Sequence, residues 1–119
     1  MAASDMNDPK TWALVRLENL GQMESECRES AWKSRLMANR YRAVSAGSST
    51  LAEIIADPPV KQMCESEAKH FAGRAEMEEG FAESGLQRAA EINDLKRRML
   101  IFLGRLEARG PAAKGGGIH

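Results

Sequence analysis

The chain contains few aromatic side chains, few cysteines and no long apolar run. Among 119 residues there are two Trp, one Tyr and three Phe, so a core must be built mainly from Leu, Ile, Met and Ala. These aliphatic residues also have high helix propensity. No run of about 18 apolar residues is present that could cross a bilayer. We therefore expect a helical, soluble, cytoplasmic protein that does not associate with a membrane.

Residues that could support chemistry are equally scarce. Cys27 and Cys64 show no C-x-x-C spacing, which argues against a zinc module or a disulfide framework. Glu67 and His70 match the Glu-x-x-His motif of di-iron bundles, but such a site needs a second copy, which only a homodimer would supply. No serine has a G-x-S-x-G context and no glycine-rich loop follows a strand pattern. We predict no catalytic residue, no cofactor and no metal ion.

Capping signals predict where the helices begin. Asp8 followed by Pro9 is typical of a helix start, and the pattern then stays helical to Val44. The Ser-rich residues 45–49 are predicted to form a loop. Thr50 and Glu53 match a capping box for a short helix through residue 56, and Asp57 followed by Pro58 begins the next one. Residues 1–8 are predicted to be a flexible N-terminus, residues 9–109 a single helical domain and residues 110–119 a disordered glycine-rich tail.

Two all-α architectures fit the second half of the chain. Gly80 and Gly85 weaken the helical pattern there, because each glycine costs about 1 kcal/mol relative to alanine. A break at these glycines gives helices over 58–79 and 85–109 and a three-helix bundle, and we favour this version slightly. Without the break, one helix over 58–109 forms a long-helix hairpin. In both versions the short capped helix lies in the connection and the packing is coiled-coil-like.

Apolar residues at alternating steps of three and four predict the surfaces that pack. In the first helix the spacing gives a seam with a small, polar centre, and in the last helix it gives a more apolar stripe. The seam comprises Leu20, Met23, Cys27, Ser30, Ser34, Met37, Tyr41 and Val44, and the stripe comprises Ile92, Leu95, Met99, Phe102 and Leu106. Trp32 and Leu36 lie on another face, where they either dock a partner or widen the core stripe. We predict that the stripe, with Trp32, Leu36 and Tyr41, forms an interaction surface and that the protein is a homo-oligomer.

Charge is segregated along the chain although the formal net charge is zero. Residues 9–44 carry seven basic and four acidic side chains, residues 84–109 six and three, and residues 60–83 three and six. Two basic clusters are candidate nucleic-acid contacts: Lys33, Arg35, Arg40 and Arg42 in the first helix, and Lys96, Arg97 and Arg98 in the last. Charge complementarity between helices is the competing explanation, and we favour it.

These patterns favour a non-enzymatic, self-associating helical protein that acts by protein–protein interaction. An adaptor, a chaperone, an assembly factor or an inhibitor would fit, and the general composition is similar to that of many phage and bacterial accessory proteins. The alternative function is a nucleic-acid-binding regulator that uses the two basic clusters.

Overall fold

The computed structural model describes residues 8–116, and side chains for residues 8–109. Two α-helices, α1 (Pro9–Ile54) and α2 (Pro58–Gly116), account for nearly all of this range, and the described residues contain no β-strand. The predicted all-α class is confirmed. Residues 1–7 and 117–119, parts of the predicted flexible ends, lie outside the described residues.

Both helices begin with the same cap. The Asp8 carboxylate accepts a hydrogen bond from the Thr11 amide at 3.2 Å, and the Asp57 carboxylate accepts one from the Val60 amide at 3.3 Å. Each bond satisfies an amide that has no partner within the first helical turn, and the proline that follows each aspartate lacks the N–H that would otherwise need one. The two predicted Asp-Pro helix starts are confirmed.

The predicted interruptions are wrong. Residues 45–49 and Thr50 belong to α1, where the Thr50 hydroxyl donates to the Ala46 carbonyl at 3.0 Å instead of capping a new helix. The short helix over 50–56 is therefore not a separate element. Gly80 and Gly85 lie within the uninterrupted α2, so neither the break nor the three-helix version is observed. α2 also continues past Arg109, the predicted helix end, to Gly116.

The chain divides into two compact units. The hairpin unit is Arg28–Gln87, in which the two helices pack antiparallel and are joined by residues 55–57. The terminal unit combines α1 up to Cys27 with α2 from Arg88. Its contacts also run antiparallel, since Trp12 packs on Phe102 whereas Glu24 pairs with Lys96.

The helices of the hairpin unit pack through small residues. The positions least exposed to solvent recur at steps of three and four: Ala31, Ser34, Ala38, Tyr41, Ser45, Ser48 and Ala52 in α1, and Cys64, Ala68, Phe71, Ala75, Glu78 and Ala82 in α2. The Ser45 hydroxyl donates to the backbone carbonyl of Ala68 at 2.7 Å, a bond that requires close helix approach. Small side chains permit this approach and the packing outweighs the weak loop preference of the serines.

The first-helix seam was predicted partly in the wrong register. Leu20, Cys27, Ser34 and Tyr41 are half-buried, as expected for a seam. Three intervening positions are displaced by one residue, because Glu24, Ala31 and Ser45 are less exposed than the predicted Met23, Ser30 and Val44, whereas Met37 is half-buried beside the buried Ala38. Met23, Ser30 and Val44 are instead exposed. In the pairs Ser30–Ala31 and Met37–Ala38, the alanine is the more buried residue and faces the opposite helix.

Candidate protein-binding surface

An apolar groove runs between α1 and α2 in the terminal unit and has a volume of about 510 Å³. We call it the apolar groove. Its walls are mostly large apolar side chains, with two arginines and an asparagine at the edges: Trp12, Arg16, Asn19, Leu20, Met23, Leu95, Arg98, Met99 and Phe102. On both helices the lining residues recur at steps of three or four, which places them on one side of the helix pair.

Two aromatic rings fix one end of the groove. Trp12 and Phe102 meet edge to face with ring centroids 6.3 Å apart, and the Arg16 guanidinium lies 5.8 Å from the centroid of the Trp12 ring. The Asp8 cap positions Trp12, because the Asp8 carbonyl accepts the Trp12 amide at 2.9 Å in the first turn of α1. Such ring pairs contribute about 0.5–1.5 kcal/mol beyond their buried area, so this end is held in place within the unit.

Polar contacts join the same two helices outside the groove lining. Lys96 and Glu24 form an ion pair at 3.0 Å, with side chains 30% and 12% exposed, and Lys10 pairs with Glu107 at 3.8 Å. None of these four residues lines the apolar groove. The ion pairs thus occupy the seam and the helix ends, while the groove is left with apolar walls.

The predicted stripe of the last helix divides into two sets. Ile92 is 4% exposed and Leu106 is half-buried, so these two residues pack towards α1, while the half-buried Met99 also lines the apolar groove. Leu95 and Phe102 are 51% and 39% exposed and line the groove. The stripe was predicted as one surface, whereas the structure turns part of it towards α1 and leaves Leu95 and Phe102 accessible in the groove.

The predicted surface residues of the first helix also separate. Trp32 is 61% exposed and Leu36 is exposed, so neither completes the buried seam of the hairpin unit. Tyr41 is half-buried: its ring stacks on Phe71 at 5.9 Å between centroids, and its hydroxyl accepts a hydrogen bond from Arg74 at 3.2 Å. Tyr41 therefore belongs to the contact between the helices of the hairpin unit.

Sequence reasoning missed Trp12 as a groove residue. Trp12 was assigned to no predicted surface, although Trp12, Arg16 and Met23 fall on one helix face by their spacing. The signal that was available is the antiparallel pairing of the chain ends, which places the beginning of α1 beside Phe102. Other large apolar residues of the hairpin unit, which belong to no predicted surface, are also exposed: Leu51, Ile54, Val60, Met63, Met77 and Phe81.

Most of the candidate nucleic-acid contacts have carboxylate partners. Lys33 pairs with Glu29, Arg42 with Glu79 and Lys96 with Glu24, while Arg97 and Arg98 share Asp94. Arg35 lines a separate cleft of about 330 Å³ in the hairpin unit together with Ala38, Asn39, Arg42, Glu79 and Glu83. Arg40 is exposed. The basic clusters thus serve largely in ion pairs, and the cleft contains two arginines and two glutamates, so it offers a phosphate backbone no net positive charge.

No protein-family model, curated protein or solved structure matches this chain. The described residues contain no helix that is both long and apolar enough to span a membrane. They also contain no group of three or more His, Cys, Asp or Glu side chains placed to hold a metal ion. Cys64 is buried in the hairpin unit, and the neighbouring Glu67 and His70 are exposed.

Proposed function

We propose that this chain is a non-enzymatic, self-associating helical protein that acts by binding protein chains, including copies of itself, through the apolar groove. One observation carries the proposal: the buried apolar residues are mostly small, and many of the large ones are exposed. Eight of the eleven buried apolar residues in the described part of the chain are alanines, whereas sixteen large apolar residues are exposed there.

This distribution leaves much of the hydrophobic contribution to stability unused within one chain. Burying an exposed Leu, Met or Phe contributes about 1.5–3 kcal/mol, whereas an alanine contributes much less. Adjacent large apolar residues on the surface mark interaction sites more often than isolated ones. A partner helix pair laid on the groove would bury Trp12, Met23, Leu95 and Phe102 together, with coiled-coil-like contacts between the helices.

The edges of the groove favour a protein over an anionic partner. Arg98 is bonded to Asp94 through Nε, and the Arg16 guanidinium is placed over the Trp12 ring. Between these two edge cations the groove walls are large apolar side chains, which a protein partner would bury and a phosphate backbone would not. An adaptor, a chaperone, an assembly factor or an inhibitor, acting in the cytoplasm as a phage or bacterial accessory protein, would use such a surface.

Two leucines of α2 provide a matched test. Leu95 is 51% exposed and lines the groove, whereas Leu100 is 54% exposed and does not. We expect the wild-type protein to have a native mass that is a multiple of 13.1 kDa. Leu95→Glu should reduce this mass to that of one chain, because the carboxylate would be buried in the interface, while Leu100→Glu should leave it unchanged.

Light scattering after size-exclusion chromatography measures these masses, and circular dichroism checks that both variants remain helical. A wild-type mass of a single chain up to millimolar concentration would contradict self-association. Equal dissociation by both variants would show that the groove is not the interface. A salt-sensitive shift of DNA or RNA mobility by the wild-type protein would support the nucleic-acid alternative.

A further inference from the structure

The groove side of α2 carries a charge pattern that is complementary to itself. Leu95 is flanked by Glu91 on one side and by Arg98 on the other, and the steps of four and three place all three on one helix face. Arg98 lines the apolar groove, so Glu91, seven residues earlier, points to the same side. An antiparallel helix with the same sequence presents this order in reverse, so that its base lies opposite the acid and its acid lies opposite the base.

Both charges of this pattern can take a further partner. Glu91 is exposed, and among the described residues none forms an ion pair with it. Asp94 is shared by two guanidinium groups, those of Arg97 and Arg98, so one positive charge of this cluster is left without a counter-charge. Arg98 contacts Asp94 through Nε only, and a guanidinium has five N–H donors.

α1 carries a second pattern of the same kind on the same side of the terminal unit. Arg16 lines the apolar groove, and Glu26 follows Met23 after one further helical step. Glu26 accepts only a long bond of 3.4 Å from Gln22, and the Arg16 guanidinium lies over the Trp12 ring. Arg16 and Glu26 thus flank Met23 as a base and an acid.

The two patterns have a common centre. The midpoint of Glu91 and Arg98 lies next to Leu95, and the midpoint of Arg16 and Glu26 lies at Gly21. Because Trp12 contacts Phe102 and Glu24 contacts Lys96, Gly21 lies beside Leu95 to within about one helical turn. A single two-fold axis that crosses both helices at the level of Gly21 and Leu95 would therefore place each basic residue of the two patterns opposite an acidic residue of the second copy.

We infer that the occupant of the apolar groove is the apolar groove of a second copy, related by a two-fold axis that passes close to Leu95. This inference rests on the proposed function and specifies its partner. In this arrangement α2 packs antiparallel on α2 of the second copy, Leu95 meets its own equivalent, and Glu91 of each chain pairs with Arg98 of the other. α1 packs antiparallel on its equivalent, with Arg16 facing Glu26.

A two-fold axis makes each of these contacts occur twice, which is how isologous interfaces form. The four helices would enclose the Trp12, Met23, Leu95 and Phe102 side chains of both chains, giving the large apolar interior that one helix pair lacks. An unrelated partner would need the same charge order in reverse, whereas a second copy supplies it automatically.

Charge reversal tests the pairing without requiring any knowledge of another protein. Glu91→Arg places two arginines opposite each other in the dimer, and Arg98→Glu places two glutamates opposite each other. Each variant alone should dissociate about tenfold or more readily than wild type, since like charges meet twice. Mixed in equal amounts, the two variants should form a heterodimer of near wild-type affinity, in which every arginine faces a glutamate.

The matched control is Glu76→Arg, which reverses an exposed charge in the hairpin unit. Analytical ultracentrifugation gives the dissociation constants, and native mass spectrometry identifies the heterodimer by the mass difference between the two variants. Loss of affinity without recovery on mixing would overturn the Glu91–Arg98 pairing, as would normal affinity in both variants. A monomeric wild-type protein would instead overturn the proposed self-association itself.

Cysteine cross-linking locates the axis independently of charge. Leu95→Cys should form a covalent dimer in the presence of oxidised glutathione, because thiols next to a two-fold axis come within the Cα separation of about 4.4–6.8 Å that a disulfide requires. Ile101→Cys, at an equally exposed position outside the groove, should not do so, and both variants retain Cys27 and Cys64. Preferential cross-linking through position 101 would place the axis elsewhere and overturn the inference.

Discussion

The ion pair between Glu24 and Lys96 is the clearest place to test how α1 packs on α2 in the terminal unit. Its charged atoms are 3.0 Å apart, and the Glu24 side chain is only 12% exposed. At an effective dielectric constant of 20, two charges about 4 Å apart attract by about 4 kcal/mol, but desolvation of both groups offsets most of this. Replacing Lys96 by leucine removes the interhelical attraction and leaves the desolvation of the carboxylate in place.

The expected loss of stability can be bounded from the exposure of the pair. Removing one partner of a fully buried pair costs about 3–5 kcal/mol, and an exposed pair contributes about 1 kcal/mol or less. Since Lys96 remains 30% exposed, we expect Lys96→Leu to lower the free energy of unfolding by about 1–2 kcal/mol. The double variant Glu24→Leu with Lys96→Leu should recover at least this loss, because it replaces the pair by apolar contacts beside Ile92.

Urea denaturation followed by circular dichroism, at one fixed protein concentration, measures both effects. Lys69→Leu, an exposed position on α2, is the control for the general effect of placing leucine on this helix. A Lys96→Leu variant as stable as wild type would show that the ion pair does not hold the seam. A double variant less stable than the single one would show that the two side chains do not face each other.

Three further changes test how the helices begin, continue and pack. Ala75→Leu should lower the free energy of unfolding by about 1–3 kcal/mol, because Ala75 is 2% exposed between the helices, while Ala72→Leu at an exposed position should change it little in the same urea titration. Gly80→Ala should raise the melting temperature, since an added Cβ at Gly80 meets nothing within 4 Å and alanine favours a helix interior by about 1 kcal/mol; a decrease would argue against a continuous α2. Asp57→Ala should cost about 1 kcal/mol through loss of the bond to the Val60 amide, and hydrogen exchange of that amide should become faster; unchanged exchange would exclude the cap.

Local signals in the sequence predicted the helix starts well. Asp8 and Asp57 each precede a proline and each caps the helix that follows, because the required contacts lie within one turn of the chain. The predicted breaks failed for the opposite reason. Whether Ser45 interrupts a helix depends on the packing of the opposite helix, because the approach of Ser45 to the Ala68 carbonyl involves residues far apart in sequence. α2 continues through the exposed Gly80, where the propensity cost of glycine is too small to break a helix of this length.

The groove could be predicted only in part. Leu95 and Phe102 belong to a stripe that spacing alone identifies, but spacing does not say which members of the stripe face the other helix of the same chain. That choice depends on the opposite surface. In the terminal unit α1 presents Ala13, Leu17, Leu20 and Glu24 at the seam, so Lys96 and Leu103 of α2 turn inward and Leu95 and Phe102 are left outside.

The displacement of the seam by one residue has a direct consequence for binding. Choosing the largest apolar side chain at each helical step, such as Met23 or Phe102, identifies residues that are exposed. It does not identify the surface through which the two helices of one chain pack. The intramolecular seam uses neighbouring smaller or charged residues, including Ala31 and Ala38, because they let the backbones approach closely. The large residues then form a second apolar surface beside the first. A chain that packs on itself through its small residues leaves its large ones outside, and it is this second surface that the proposed self-association would bury.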